Sequence, residues 1–132
     1  IEQLKKLNPF IEQRRKNAEL FKKRIGEETS FLTQQELGEA SWFGFAIILP
    51  EEIKGKRDAF TDALRAAEIE VRPIVAGNFA RQKALKFLDY SISGELKNAD
   101  YIHDNGFFVG NHSIEMEESI NLLIDVLKSV NV

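Results

Sequence analysis

The run Ser41-Trp42-Phe43-Gly44-Phe45-Ala46-Ile47-Ile48-Leu49-Pro50 is apolar without a break from Trp42 to Leu49 and closes on a proline. Such a run predicts a buried strand at the centre of a sheet, not one with a face in water. Gly44 inside it predicts a bulge or the close approach of another backbone. Trp42, at its start, reads as a packing residue of the core or the sheet edge and not as a platform for a ligand.

Downstream, Phe60, Ala63, Leu64 and Ala67 fall at i, i+3, i+4 and i+7, so Lys56 to Ala67 is expected to be helical. That helix suits a crossover into a second strand, Glu70 to Val75, parallel to the first and reached by a right-handed connection. Ala80 to Leu88 and Glu95 to His103 predict short helices. Gly106-Phe107-Phe108-Val109-Gly110 predicts a third strand, placed antiparallel to the other two. Ser113 is expected to cap the last helix, with Glu115 and Glu117 at its positive end. Met116, Ile120, Leu123, Ile124 and Leu127 supply that helix's buried face.

Upstream, Ile1, Leu4, Leu7, Ile11, Ala18, Phe21 and Ile25 recur at helical spacing, interrupted only at Arg14. Pro9 must either kink this helix or open a second one capped by Asn8, and Gly26 is placed to stop it. Thr29 to Ser41 is polar and irregular, a connecting loop with at most a turn of helix. The sum is an α+β two-layer sandwich, a small sheet with helices packed on it.

A chain of 132 residues with 43% hydrophobic and 30% charged content is one soluble globular domain with room for a core. The net charge of -3 argues against a general nucleic-acid binder, and the basic face of the first helix carries no interleaved aromatic residues. The absence of cysteine excludes disulfides, zinc–thiolate sites and a cysteine nucleophile within the chain. No apolar run reaches bilayer-spanning length and the N-terminus is no signal peptide, so a cytoplasmic setting is expected, without a membrane partner. Ile1 already lies inside a helical pattern, which suggests a piece of something longer.

Chemistry concentrates in Val71-Arg72-Pro73-Ile74-Val75-Ala76-Gly77-Asn78-Phe79-Ala80-Arg81. Pro73 stiffens the strand exit and Gly77 permits a sharp turn. Arg72 and Arg81 suit carboxylate or phosphate oxygens, Asn78 suits sugar hydroxyls, and Phe79 offers a stacking face. The same residues also admit a structural account, with Arg72 paired to Glu70 or Asp89 and Phe79 in the core. His103 and His112 bracket the third strand at opposite ends, with no metal-ligand spacing, and His112 is the better placed to meet a ligand. No P-loop, GxGxxG, GxSxG or paired-carboxylate pattern is present, so no self-contained active site is visible.

Together, SWFGFAIILP with the helix after it, IEVRPIVAGNFARQ, and LKNADYIHDNGFFVGNH resemble the C-terminal region of the DegT/DnrJ-type nucleotide-sugar aminotransferases. Enzymes of that family have the type I aminotransferase fold and use pyridoxal phosphate. The resemblance implies a long helix over residues 1–26, leading from a cofactor domain outside this chain into a C-terminal small domain, residues 27–132. RPIVAGNF with GFFVGNH is most similar to the deoxysugar 3-dehydratase branch. That branch removes the C3 hydroxyl of a nucleotide-linked 4-keto-6-deoxyhexose for lipopolysaccharide O-antigens. It uses the pyridoxamine phosphate form, with a histidine in place of the Schiff-base lysine.

On this resemblance the cofactor-binding residues lie upstream and no catalytic or metal-binding residue is expected here. Arg72, Asn78, Phe79, Arg81, Asn111 and His112 are expected to form one wall of the sugar site in a homodimeric full-length enzyme. The other reading is a standalone nucleotide-sugar or anion-binding module without catalysis.

Overall fold

The computed structural model describes residues 1–131. Its sheet is organised about β2, Gly44–Ile48, the middle of the apolar run. β4, Gly106–Gly110, pairs with β2 antiparallel, and β3, Val71–Arg72, pairs with the far side of β4, also antiparallel. A two-residue strand, β1, Leu32–Thr33, adds the opposite edge, giving the order β1-β2-β4-β3. β2 and β3 are parallel, as expected of a strand–helix–strand unit, but β4 lies between them.

Register decides which side chains form the core. Phe45 faces Val109 and Ile47 faces Phe107, so four apolar side chains share one face of the sheet. Helices α1 (Leu7–Glu28), α2 (Arg57–Ala66) and α4 (Glu117–Ser129) cover it. Ala18, Phe21 and Ile25 of α1 meet Phe60 and Leu64 of α2 and the Ile120, Leu123, Ile124 and Leu127 stripe of α4. Phe21 stacks on Phe45 with ring centroids 4.2 Å apart. Each large apolar side chain buried this way stabilises the fold by roughly 1.5–3 kcal/mol.

The ends of these elements differ from expectation for identifiable reasons. Pro9 sits in the first turn of α1, where an N–H would lack an intrahelical acceptor, and Asn8 does not cap it. Gly26 is passed, and the helix stops at Thr29, whose N–H and Oγ1 both donate to the Ile25 carbonyl. The polar 29–41 segment pairs with β2 partly through side chains: Thr33 Oγ1 donates to the Ala46 carbonyl and Gln34 Oε1 accepts the Ala46 N–H. The second strand is shorter than expected because Pro73 has no N–H to give the ladder.

Residues 80–88 form no α-helix. Two 3-10 turns, Phe79–Arg81 and Lys83–Phe87, are separated by an extended Gln82, with only Leu85 buried. α3, Lys97–Asn105, runs straight into β4. Ser113 does not cap α4, which begins at Glu117 after an uncapped, half-buried Met116. The Met116 sulfur instead accepts the His112 N–H.

The other face of the sheet carries Gly44, Ala46, Ile48, Gly106, Phe108 and Gly110. A Cβ on Gly44 would lie 2.7 Å from the Val109 carbonyl and 2.9 Å from the Phe108 ring. The glycine therefore marks a close approach, not a bulge, and the register runs on through it. None of the three core helices covers this face; Ile74 and Ile102 lie over its Gly106 end.

Candidate functional site

The loop after β3 is built as a tied turn. The Gly77 N–H closes on the Ile74 carbonyl at 2.7 Å. Val75 sits inside that turn at φ 47°, with 89% of its surface exposed. A β-branched residue in the left-handed region costs about 1–3 kcal/mol, so surrounding contacts must impose it.

Those contacts come from α3 and from the loop itself. The Asn78 N–H donates to His103 Nδ1 at 3.0 Å, and Asn78 Nδ2 donates to Asp100 at 2.8 Å. Asn78 Oδ1 accepts the Ala80 N–H, which caps the first 3-10 turn, and Gln82 Nε2 donates to the Ala76 carbonyl. Arg81 Nη1 grips both oxygens of Asp104 at 2.8 and 2.9 Å. That hydrogen bond holds the Asp104 carboxyl below its ordinary pKa and raises that of Arg81.

The outcome for each expected site residue is distinct. Asn78 is buried with its amide spent inside the protein, whereas Phe79 stands 58% exposed and does not fill the core. Arg81 is half-exposed and tethered on one nitrogen. Arg72 lies on the exposed edge of the sheet with Nε and Nη2 on Glu70, one of the two partners its sequence offered.

Asn111 and His112 lie at the opposite end of β4, roughly 14 Å away for a strand of this length. Asn111 is buried: its Nδ2 donates to the carbonyls of Arg14 and Trp42, and its Oδ1 accepts from Asn17. Asn17 Nδ2 also reaches the His112 and Ile114 carbonyls. The His112 side chain is exposed. On the helix-free face lies an open depression of about 180 Å³ lined by Gln34, Phe43, Gly44, Ala46, Ile74, Val75 and Phe108.

His103, Asp100 and Asp104 were not among the expected site residues, yet they hold the loop. Their spacing carried the only hint: 100, 103 and 104 share one helix face.

Phe79 presents an exposed aromatic face, and Arg72 and Arg81 present exposed guanidinium groups. Among the described residues no cluster of three metal-ligating side chains occurs. Among the described residues every lysine is exposed, and Lys5, Lys54 and Lys97 are ion-paired with Glu2, Glu51 and Glu95, so none sits in a buried pocket of the kind that holds a Schiff base with pyridoxal phosphate.

Residues 1–128 match the family model described as the DegT/DnrJ/EryC1/StrS aminotransferase family. The chain is 52% identical, over 97% of its length, to the GDP-4-keto-6-deoxy-D-mannose 3-dehydratase of Yersinia pseudotuberculosis. It superposes on the Escherichia coli GDP-4-keto-6-deoxy-D-mannose-3-dehydratase with bound hydrated PLP at a TM-score of 0.92, with 46% identity over 96% of this chain. A GDP-4-keto-6-deoxymannose-3-dehydratase variant with bound GDP-perosamine gives a TM-score of 0.91 at 45% identity, again over 96% of this chain. In each case the chain spans 33% of the relative.

Proposed function

The chain belongs to the DegT/DnrJ/EryC1/StrS aminotransferase family, and on that premise we propose that it is the C-terminal small domain of a GDP-4-keto-6-deoxy-D-mannose 3-dehydratase. The observation that carries this is 52% identity extending through both recognition segments, at a level where fold and local chemistry travel together. The full-length protein then uses pyridoxal or pyridoxamine phosphate bound by a domain outside residues 1–132. Bound there, that cofactor supplies the electron sink for loss of the C3 hydroxyl.

This chain contributes one wall of the sugar site. Phe79 offers a stacking face, and Arg72, Arg81 and His112 place polar groups around the substrate. Asn78 and Asn111 act from behind, fixing the backbone that carries these groups. The wall orients the sugar and excludes water; it breaks no bond itself. Residues 1–26 lead from the cofactor domain, and the exposed Leu4 and Leu7 support packing against further protein, including the second copy of a homodimer. The product is a deoxysugar nucleotide for lipopolysaccharide O-antigen.

The test is incubation of the full-length protein with GDP-4-keto-6-deoxy-D-mannose and excess pyridoxamine phosphate. A sugar nucleotide lacking the C3 hydroxyl is expected by mass spectrometry and NMR. An amino sugar that keeps that hydroxyl would instead identify an aminotransferase of the same family, and an unchanged substrate would overturn the assignment.

A further inference from the structure

The loop that carries Phe79 and Arg81 is held from α3 as well as by its own hydrogen bonds. It contains a left-handed Val75, and its Gly77 stands at φ 61° with the position of a Cβ only 2.3 Å from His103 Nδ1. The same Nδ1 is the acceptor for the Asn78 N–H at 3.0 Å. One ring nitrogen therefore both excludes a side chain at residue 77 and fixes the amide at residue 78. The backbone that carries the ring is tied to α2, because the His103 carbonyl accepts Arg57 Nη1 at 2.6 Å. Its neighbours Asp100 and Asp104 grip Asn78 and Arg81 from the same helix.

We propose that His103 is the positioning residue of the recognition loop: without touching the ligand itself, it sets the turn at Gly77-Asn78 so that Phe79 and Arg81 meet the sugar nucleotide. The inference deepens the proposed function and rests on it for the identity of the ligand. A positioning role predicts loss of substrate affinity with the chemical step preserved, since no reacting atom meets His103.

The experiment uses the full-length protein. His103→Ala is expected to speed hydrogen exchange over residues 76–82. It is also expected to raise KM for GDP-4-keto-6-deoxy-D-mannose about tenfold, the size of one lost hydrogen bond, with kcat changed less than about threefold. His103→Asn hangs an oxygen from Cγ where the imidazole hangs Nδ1, and is expected to restore both. Gly77→Ala should give the same KM effect, and a smaller one in the His103→Ala background, where its Cβ no longer meets the ring. Should His103→Ala not fold, Gly77→Ala and His103→Asn supply the same readouts.

Unchanged exchange over 76–82 in His103→Ala overturns the assignment, as does a His103→Asn protein that behaves like the alanine variant. Faster exchange with an unchanged KM overturns it as well. Exchange needs no substrate, so wild-type protein that leaves the sugar nucleotide untouched counts against the proposed function, while exchange alone still decides whether His103 sets the loop.

Discussion

Asn111 carries a side chain suited to sugar hydroxyls, but the fold consumes it. Its NH2 faces two backbone carbonyls, of Arg14 and Trp42, and its oxygen faces a donor, Asn17. Every group in that arrangement depends on the orientation of the amide. Asn111→Ala leaves those partners unpaired in the interior and should cost about 1–3 kcal/mol. Asn111→Asp should cost at least as much, because an acceptor then faces two carbonyls. Urea unfolding of both variants measures this, and an aspartate variant as stable as wild type would remove the network from the account. Arg81 shows the opposite balance. Its grip on Asp104 is one-sided and exposed, so it persists above the ordinary carboxylate pKa and is released as pH falls through the lowered value.

At the scale of elements, the sandwich is closed by the contact of α1 with α4, and one residue ties their polar rims. Glu28, the last residue of α1, accepts from Lys128 of α4 at 2.8 Å and from Arg24, which also reaches Asn121. The Lys128 hydrogen bond, then that of Arg24, lowers the Glu28 pKa from its ordinary value near 4.5. A carboxylate whose folded pKa is depressed stabilises the fold fully above its unfolded value, and that contribution disappears as pH falls through the folded one. Glu28→Gln should therefore lower Tm at pH 7, and the two proteins should converge as pH drops below about 4. A Tm difference that persists unchanged at pH 3 would assign the effect to packing. The pair is solvent-exposed, so the difference at pH 7 is expected to be small.

The whole molecule is a third of the length of the relatives it matches, and its surface is consistent with that share. Ile1, Leu4 and Leu7 are 95%, 70% and 47% exposed in the segment that leads into α1 and at its first residue. Purified alone, the chain is expected to show no dehydration or transamination with added pyridoxal or pyridoxamine phosphate, and to self-associate through this stripe. Turnover by the isolated chain, or a strictly monomeric species across concentrations in light scattering, would contradict these expectations. Much of this architecture was legible in the residues. The run from Trp42 to Leu49, the periodicity of Phe60 with Leu64, and the stripe from Ile120 to Leu127 each encode which face is buried, because hydrophobic spacing is a local property of the chain. The antiparallel direction of β4 agrees with expectation, but its place between β2 and β3 was not written in those patterns. What the residues by themselves left open depends on distant partners. Asn78 and Asn111 were expected to line the sugar site, and their partners inside the protein, Asp100 and His103 in one case and Asn17, Arg14 and Trp42 in the other, are remote in sequence. The partner of His103 was equally hidden, since hydrogen bonds between segments 25 to 97 residues apart exist only once the fold has brought those segments together.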